Sequence, residues 1–314
     1  MTASPAARSP AGPFPIIPPP LRPGDLIAVV APSSPFEHVL AWSGLGWLAR
    51  RYRVRFSRGI FERAQGYLAG SDERRREELV AALTDPDVRA VLAARGGYGA
   101  SRFVHAISSA FASLAGHPRW IVGFSDITAL HVEAARVGVA SIHGPHLTTV
   151  GRGDARAREA LVRALEAPLA PRTYEVLDVV REGAAAGPLF GGNLAMLHAC
   201  AAAGRLEVPP GCVLLLEDVT ERPYRIDRML ATLAAGGHLA RAAAVVLGDF
   251  TQCDPGPDRV TVAEVLRAAL APLGVPVVSG LPVGHGARND PVVLGAMARV
   301  SVARGVGQVT LGGG

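Results

Sequence analysis

Ser125 stands where the sequence changes from a short apolar run to a helical pattern. The run Trp120–Phe124 leads directly into Ser125, and Asp126 follows it at the start of the helical stretch. A hydroxyl at such a turn lies at a helix N-terminus, where free backbone N–H groups stabilise developing negative charge. Two interpretations remain open at this point: a nucleophilic serine, or a serine that only caps its helix. Ile127 replaces the second glycine of the Gly-x-Ser-x-Gly turn, which argues against an ordinary α/β-hydrolase.

Three further polar or glycine-rich points follow predicted strands, where open α/β sheets bind their ligands. The stretch Arg95–Arg102 contains Gly96, Gly97 and Gly99, which form either an anion-binding nest of backbone amides or a tight turn. Glu217 ends a strongly apolar strand, where a carboxylate is costly without a partner. His285 lies in a loop between two glycines, which suggests a positioned imidazole. These residue types are those of a nucleophile, a base and an orienting acid.

Other residues compete for the same roles. His131, His143 and His146 are alternative bases, although each is better explained as a structural histidine. His143 and His146 could also suggest a metal site, but without a third ligand the pair supports none. Glu221 is an alternative to Glu217, although for Glu221 and Asp218 a helix-capping or salt-bridged role is favoured. No metal and no cofactor are therefore predicted.

Composition excludes several classes of function. The 314 residues carry a net charge of +5, yet all 32 basic residues are arginine and they are scattered, apart from Arg74–Arg76 on a helix predicted to be exposed. A nucleic-acid partner is therefore disfavoured. Without lysine the chain cannot form a Gly-Lys-Ser/Thr phosphate loop, a Schiff base or a Ser-Lys dyad. Cys200, Cys212 and Cys253 lack the number and spacing of a disulfide framework or zinc knuckle, so buried, inert thiols are expected.

The N-terminal stretch shows neither a secretory signal nor a membrane-spanning segment. It lacks a basic region followed by a continuous apolar stretch, and no apolar run in the chain approaches the ~20 residues that a bilayer requires. We therefore expect a cytoplasmic protein with no membrane partner.

Strand and helix patterns alternate along the chain and predict an α/β fold with two domains. The N-terminal domain has a parallel sheet and holds Ser125, and the smaller C-terminal α/β domain holds Glu217 and His285. We predict the following division of the chain: a Pro-rich disordered arm over 1–24, the N-terminal domain over 25–167, a linker over 168–187 and the C-terminal domain over 188–314.

Five motifs occur in an order that resembles the LD-carboxypeptidases, the murein tetrapeptide carboxypeptidases that include the microcin-C self-immunity peptidases. The resemblance covers about residues 24–311, nearly everything but the Pro-rich arm. The motifs are Arg95–Arg102, Gly123–Leu130, Gly191–Leu194, Leu216–Val219 and Gly284–Gly286. The resemblance implies a serine peptidase whose Ser–Glu–His triad lies at the interface of two α/β domains. Phe124 stands where many relatives are expected to have tyrosine.

The resemblance also implies a role for individual residues. Ser125 is the expected nucleophile, Glu217 the orienting acid and His285 the base, with the backbone amides of Gly97 and Asp126 as the oxyanion hole. Expected substrate contacts, which include candidates for binding a free carboxylate, come from Arg95, Tyr98, Asn193 and Arg222, with Arg102 and Arg225 as further arginine candidates. For Asn193, which follows two glycines, a turn residue is the alternative interpretation.

The implied substrate is a peptidoglycan-derived peptide, cleaved between an L-configured centre (diaminopimelate or lysine) and a terminal D-alanine. An immunity-type peptidase that cleaves an aminoacyl-nucleotide antibiotic is an alternative with the same chemistry. A non-enzymatic module that binds an anion at the glycine loop is a third hypothesis. A homodimer is expected from the resemblance alone.

Overall fold

The computed structural model describes residues 15–62 and 65–313, in which strands and helices alternate. The first part of the chain contains β1 (Leu26–Val30), α1 (His38–Leu48), β2 (Arg53–Phe56), α2 (Asp72–Thr84), β3 (Val88–Ala93), α3 (Ser108–Ala112), β4 (Trp120–Gly123), α4 (Thr128–Arg136), β5 (Ser141–His143), α5 (Leu147–Gly151) and α6 (Ala155–Glu166). The second part contains β6 (Arg172–Arg181), β7 (Gly183–Asn193), α7 (Leu194–Ala202), β8 (Cys212–Val219), α8 (Pro223–Ala235), β9 (Ala242–Thr251), α9 (Val262–Leu270), β10 (Val277–Ser279), β11 (Val292–Leu294), β12 (Met297–Ala303) and β13 (Val306–Leu311).

A six-stranded sheet forms the centre of the N-terminal part, in the order β11-β5-β4-β3-β1-β2. All neighbouring strands are parallel except β11, which pairs antiparallel with β5. Alternate residues of β1 enter two different apolar cores: Ala28 shares one with Leu79 of α2, and Ile27 shares the other with Leu45 of α1. Burial on both faces explains the nearly continuous apolar sequence of these strands.

The C-terminal part is a closed sheet of seven strands in the order β10-β6-β13-β12-β7-β8-β9. β7, β8, β9 and β10 run parallel, and the remaining pairs are antiparallel. Leu189, Val213 and Val278 belong to an apolar core of their own. Helices α7, α8 and α9 pack on residues of β8 and β9 such as Leu214 and Val245. The parallel strands β8, β9 and β10 bring their carboxyl ends to one edge, where Glu217 lies.

The prediction of a linker over residues 168–187 is wrong for most of that range. β6 and the first residues of β7 occupy it and pair with β10, β12 and β13 of the closed sheet. The small residues that suggested a linker permit close strand contact instead, since a Cβ on Gly187 would lie 2.0 Å from the carbonyl oxygen of Gly211. The C-terminal sheet therefore begins near residue 172 rather than 188.

The prediction of a disordered arm is wrong for residues 15–24, which pack on the N-terminal part. Ile16 forms a β-bridge with Val139, and Leu21 is buried. The indole Nε1 of Trp120 donates to the carbonyl of Pro19 at 3.0 Å. Prolines in this stretch therefore hold an extended segment against the domain. Residues 1–14 of the predicted arm lie outside the described residues.

Helix α2 carries Arg74–Arg76, which were predicted to be exposed, but one of these arginines is buried. Ser71 caps the helix, with its Oγ accepting from the Arg74 amide at 3.2 Å. Arg75 is fully buried, contrary to prediction, and its guanidinium contacts Asp72 and the carbonyls of Pro32 and Gly70. A buried guanidinium requires such a set of acceptors. Arg75 therefore fastens α2 to the loop that follows β1.

The three cysteines are free and buried, as the sequence predicts. Burial raises the pKa of the Cys200 and Cys212 thiols to about 12 and that of Cys253 to about 11, so all three are protonated at neutral pH. Within residues 15–62 and 65–313, none of the helices has the length and apolar character needed to cross a membrane.

Two glycines of α1 test the packing of this helix on α5. A Cβ on buried Gly44 would lie 2.6 Å from the carbonyl oxygen of Leu147, whereas a Cβ on exposed Gly46 would have no atom within 4 Å. We expect Gly44→Ala to lower the free energy of unfolding by about 1–3 kcal/mol through overpacking. Gly46→Ala should raise it by about 0.5–1 kcal/mol, because alanine favours the helix. Urea unfolding of both variants measures the difference, and equal effects would contradict the packing described.

Candidate functional site

Ser125 follows β4 in a strained backbone conformation. Its φ angle is +64°, in the left-handed region, and a 3₁₀ turn over Ser125–Ile127 leads into α4. A non-glycine residue in this region costs on the order of 1–3 kcal/mol and is found where the surrounding fold imposes it. The turn keeps the hydroxyl above the end of the sheet, partly exposed, as the sequence predicts. A serine that only caps a helix has an extended backbone instead.

The glycine loop after β3 lies directly against this turn. A Cβ on Gly96 would come within 2.9 Å of the Ser125 Cβ and within 3.0 Å of the His146 ring, so only glycine fits there. Gly97 has a φ of +103° and packs on Ser34. The adjacent parallel strands β3 and β4 bring this loop and Ser125 to the same edge of the sheet.

Asp126 ties the turn to the loops around it through its carboxylate. Oδ2 accepts from the Ser33 hydroxyl at 2.6 Å and from the Ala100 amide at 2.8 Å. Burial raises the pKa of Asp126, while these hydrogen bonds and the nearby positive charge of Arg75 act in the opposite direction. The Asp126 carboxylate therefore connects the loop after β1 and the glycine loop to the turn that contains Ser125. Ser33 and Arg75 are missed by the sequence analysis, because neither belongs to a recognisable motif.

Glu217 and His285 form a buried hydrogen-bonded pair at the edge of the closed sheet. Glu217 is fully buried at the end of β8, and its Oε2 lies 2.7 Å from Nδ1 of His285. Burial raises the pKa of the Glu217 carboxyl, and the contact with His285 partly opposes this shift. Gly284, with a φ of +125°, is required here because a Cβ would lie 2.7 Å from Glu217 Oε2. Glu221, the alternative acid, contacts Arg225 at 3.5 Å instead.

The loop that holds His285 is anchored on both sides of the imidazole. The Gly284 amide donates to Asn289 Oδ1 at 3.1 Å, and the Gly286 amide donates to Asp249 Oδ2 at 3.2 Å. Asp249 lies in β9. This strand pairs on one side with β8, which contains Glu217, and on the other side with β10, which leads into the loop. Neither anchor was predicted. Asp249 could have been suspected from its place near the end of a predicted apolar strand.

Both parts of the molecule face one cavity of about 800 Å³. Ser125, Gly96 and Gly97 line it from the N-terminal part, and His285 lines it from the C-terminal part. The Phe124 ring packs 4.8 Å from the imidazole of His285, between centroids. Within the described ranges no hydrogen bond joins Ser125 to His285. Hydrogen bonds of this kind are often long without substrate and tighten when it binds.

Of the competing histidines, His143 and His146 pack on the Phe124 ring, and none of the three is suited to act as a base. His131 Nε2 lies 2.9 Å from the Gly123 carbonyl oxygen, and His146 Nε2 lies 2.9 Å from that of Phe124. Burial lowers the pKa of His131 to about 4 and that of His146 to about 3, and it lowers the pKa of His143 well below its usual value. Such weak bases accept protons poorly at neutral pH. In residues 15–62 and 65–313, no group of three or more His, Cys, Asp or Glu side chains has a metal-binding arrangement.

The predicted substrate contacts divide into one that lines the cavity and three that do not. Arg95 lines it, and its guanidinium also donates to the Pro35 carbonyl at 2.5 Å. Tyr98 packs on Tyr67, 5.6 Å between ring centroids. Asn193 caps α7, and its amide nitrogen donates to Asp218. Arg222 donates to the carbonyls of Asp254 and Pro255. These three have structural partners away from the cavity lining.

Other arginines bear on the recognition of an anion. Arg102 is held in an ion pair with Asp72 at 2.7 Å and does not line the cavity, and Arg225 faces Glu221. The cavity is lined instead by Arg152, Arg156 and Arg288, which the sequence analysis did not select. Arg152 and Arg156 lie on or near α6, far from every recognised motif, and Arg288 lies two residues after the Gly284–Gly286 motif.

His131 provides a test of the buried imidazoles through the pH dependence of stability. Because its pKa is about 4 when folded and near 6.5 when unfolded, the unfolded chain binds more protons between these values. The stability that the neutral side chain contributes is therefore complete above pH 6.5 and is lost as the pH falls. The variant His131→Leu lacks the imidazole and should not lose this stability. The free energy of unfolding of the variant minus that of the unaltered protein should therefore be about 2 kcal/mol larger at pH 5 than at pH 7.5.

Urea unfolding at the two pH values measures this change, and the lost hydrogen bond to Gly123 adds only an offset that does not depend on pH. The exposed His117 supplies the control, since His117→Leu should give the same difference at both pH values. A constant difference for His131→Leu would contradict burial of a neutral imidazole.

Sequence and structure comparisons agree on one family. The family model for the LD-carboxypeptidase N-terminal domain matches residues 27–144, and that for the C-terminal domain matches residues 186–300. The murein tetrapeptide carboxypeptidase of Pseudomonas aeruginosa is 36% identical over 235 residues, which are 71% of this chain and 76% of that protein.

Solved structures show the same fold. The muramoyltetrapeptide carboxypeptidase from Oxalobacter formigenes has a TM-score of 0.80 at 29% identity, over 92% of this chain and 99% of that chain. The microcin C7 self-immunity protein MccF, in complex with aspartyl sulfamoyl adenosine, has a TM-score of 0.80 at 19% identity, over 96% and 99% of the two chains. The second likeness concerns the fold alone. With both of its domains matched, the chain belongs to the LD-carboxypeptidase family.

Proposed function

We propose that this peptidase is a serine LD-carboxypeptidase that acts on murein tetrapeptide in peptidoglycan recycling. It would hydrolyse the amide between the L-configured centre of diaminopimelate or lysine and the terminal D-alanine. The observation that supports this most is the buried Glu217–His285 pair, which faces the same cavity as the strained Ser125. The names of the relatives from Pseudomonas aeruginosa and Oxalobacter formigenes support the substrate.

In the proposed reaction His285 is the general base. Glu217 accepts from Nδ1–H, which leaves Nε2 free to take the proton of the Ser125 hydroxyl. The Ser125 oxygen attacks the amide carbonyl, and the C–N bond breaks as His285 returns the proton to the departing D-alanine amine. Water then attacks the ester with His285 again as base, releasing the tripeptide and restoring the serine.

The negative charge of the tetrahedral intermediate needs preorganised donors. We assign this role to the backbone amides of Gly97 and Asp126, as the family resemblance implies. The first belongs to the glycine loop pressed against Ser125, and the second opens the 3₁₀ turn. One donor of this kind is typically worth about 10²–10³ in rate.

The terminal carboxylate of the substrate also needs a cation beside the scissile bond. Arg95 is our choice, because it lines the cavity next to Gly96 and Gly97 and its guanidinium is already oriented by the Pro35 carbonyl. A planar guanidinium binds carboxylates with two parallel hydrogen bonds. This recognition would distinguish a carboxypeptidase from a peptidase that cleaves within a chain.

Replacement of Glu217 tests the triad against a matched control. Glu217→Gln should lower kcat/KM for D-alanine release from L-Ala-γ-D-Glu-meso-diaminopimelate-D-Ala by about 10⁴, because the amide no longer stabilises the imidazolium. Ser125→Ala should lower it at least as much. The same chemical change in Glu221→Gln, which faces Arg225, should leave kcat/KM within about twofold. Mass detection of the lost alanine gives the rates.

Turnover that survives Ser125→Ala would exclude the serine mechanism, and an equal loss in Glu217→Gln and Glu221→Gln would exclude the assigned acid. Parallel assays with an aminoacyl sulfamoyl adenosine test the alternative substrate. If the unaltered protein hydrolyses only that compound, the triad assignment stands but the murein substrate is wrong. Absence of turnover of both would favour a binding module.

A further inference from the structure

A second cavity opens beside the one that contains Ser125 and His285. Its volume is about 710 Å³, and the two cavities share Arg156, Ala160, Arg288 and Asp290 in their lining. Because the same side chains border both spaces, the two cavities are immediate neighbours. We call the second cavity the annex.

The annex is built from three elements. Helix α6 contributes Arg156, Glu159 and Arg163, which are spaced three and four residues apart and therefore lie on one helix face. Strand β6 contributes Arg172 and Tyr174, and the loop after β10 contributes Arg288 and Asp290. Arg163, Glu159 and Arg172 line the annex and not the catalytic cavity.

Some of the charges in the annex neutralise one another. Asp290 pairs with Arg288, with Nε at 2.8 Å, and accepts from the Tyr174 hydroxyl at 3.0 Å. These contacts hold the pKa of Asp290 below its usual value despite its burial. Arg288, Asp290 and Tyr174 therefore form one fixed side of the annex. The neutral amide of Gln308 donates to Glu175 at 3.0 Å, which orients that carboxylate but leaves its charge unneutralised.

The remaining charges have no partner of opposite sign in the part of the chain that the structure describes. They comprise three cations, Arg156, Arg163 and Arg172, and two anions, Glu159 and Glu175. Arg172 is oriented by a contact to the Pro291 carbonyl, which leaves its charge unneutralised. Free guanidinium groups bind carboxylates, and a free carboxylate binds an ammonium. The annex therefore has the charge pattern that fits a ligand with both groups.

We propose that the annex binds the zwitterionic end of the peptide substrate, the end remote from the bond that is cleaved. This inference rests on the proposed function. In L-Ala-γ-D-Glu-meso-diaminopimelate-D-Ala the γ-linkage leaves the α-carboxylate of D-glutamate free, and the L-alanine end is an ammonium. Two to three residues of extended chain span roughly 10 Å, enough to reach from one cavity into the other. Arg163 and Arg172 would bind the D-glutamyl carboxylate, and Glu159 would bind the ammonium.

Arg163 provides the test, because it contributes to the annex and not to the catalytic cavity. We would measure kcat and KM for D-alanine release from the tetrapeptide and from N-acetyl-diaminopimelyl-D-alanine, which lacks the remote end. Arg163→Ala should raise KM for the tetrapeptide about tenfold with kcat nearly unchanged. Both constants for the short substrate should stay within about twofold. Arg267→Ala, an exposed arginine on α9, is the control and should change neither substrate.

A second pair of variants separates charge from packing. Arg163→Gln keeps most of the aliphatic stem and removes the charge, so it should reproduce the effect of Arg163→Ala even if that variant folds poorly. Glu159→Gln should raise KM for the tetrapeptide about fivefold, yet leave unchanged the KM for a tetrapeptide acetylated at its amino end.

An equal loss for long and short substrates in Arg163→Gln, or no loss for either, would overturn the annex as a subsite while leaving the proposed function intact. If the unaltered protein releases no D-alanine from either substrate, the proposed function is overturned and the annex proposal with it.

Discussion

The buried hydrogen bond between Glu217 and His285 is the constraint on which the arrangement of the site depends. A fully buried carboxylate is costly unless it has a partner, and the contact of 2.7 Å supplies one. The partner must arrive on a loop, and that loop is itself held by Asn289 and Asp249. Glycine at position 284 allows the backbone to approach the carboxylate. The imidazole orientation is thus set before any substrate binds, which is the preorganisation that the proposed triad requires.

The same loop also joins the two sheets. It begins after β10 of the closed sheet and ends at β11, which pairs with β5 of the N-terminal sheet. His285 therefore lies on a segment anchored at one end to the Glu217 sheet and at the other end to the sheet of Ser125. Two further contacts limit the relative movement of the two parts. The backbone amide of Asn193 donates to the Thr128 hydroxyl at 3.1 Å, and Arg205 forms an ion pair with Glu133 at 2.5 Å. The position of Ser125 is likewise fixed, by its left-handed backbone conformation and by the buried hydrogen bonds of Asp126.

The sequence predicted the elements whose signal is local. Strand β4 was found within a residue, because an apolar run marks it. The α/β class followed from the alternation of strand and helix patterns, and the family followed from the ordered motifs. The first residues of β7 were missed because glycine and alanine resemble a linker until closed-sheet packing is known. Strand β6 was missed although its valine, threonine and tyrosine residues are typical of a strand. Arg75, Asp249 and the arginines of α6 were missed for a related reason: each acts through contacts distant in sequence. Tyr98, Asn193 and Arg222 belong to motifs or lie beside them, but the contacts they make are structural.

Reaction with a fluorophosphonate tests the proposed triad most directly, since this reagent modifies a serine only when its hydroxyl is activated. Peptide mass spectrometry after brief exposure should find one phosphonyl group, on Ser125. In folded His285→Ala protein the rate of labelling should fall by at least 10²-fold, because the base is absent. Labelling of a different residue, or labelling of Ser125 at an unchanged rate in His285→Ala, would contradict activation of Ser125 by the imidazole that Glu217 holds.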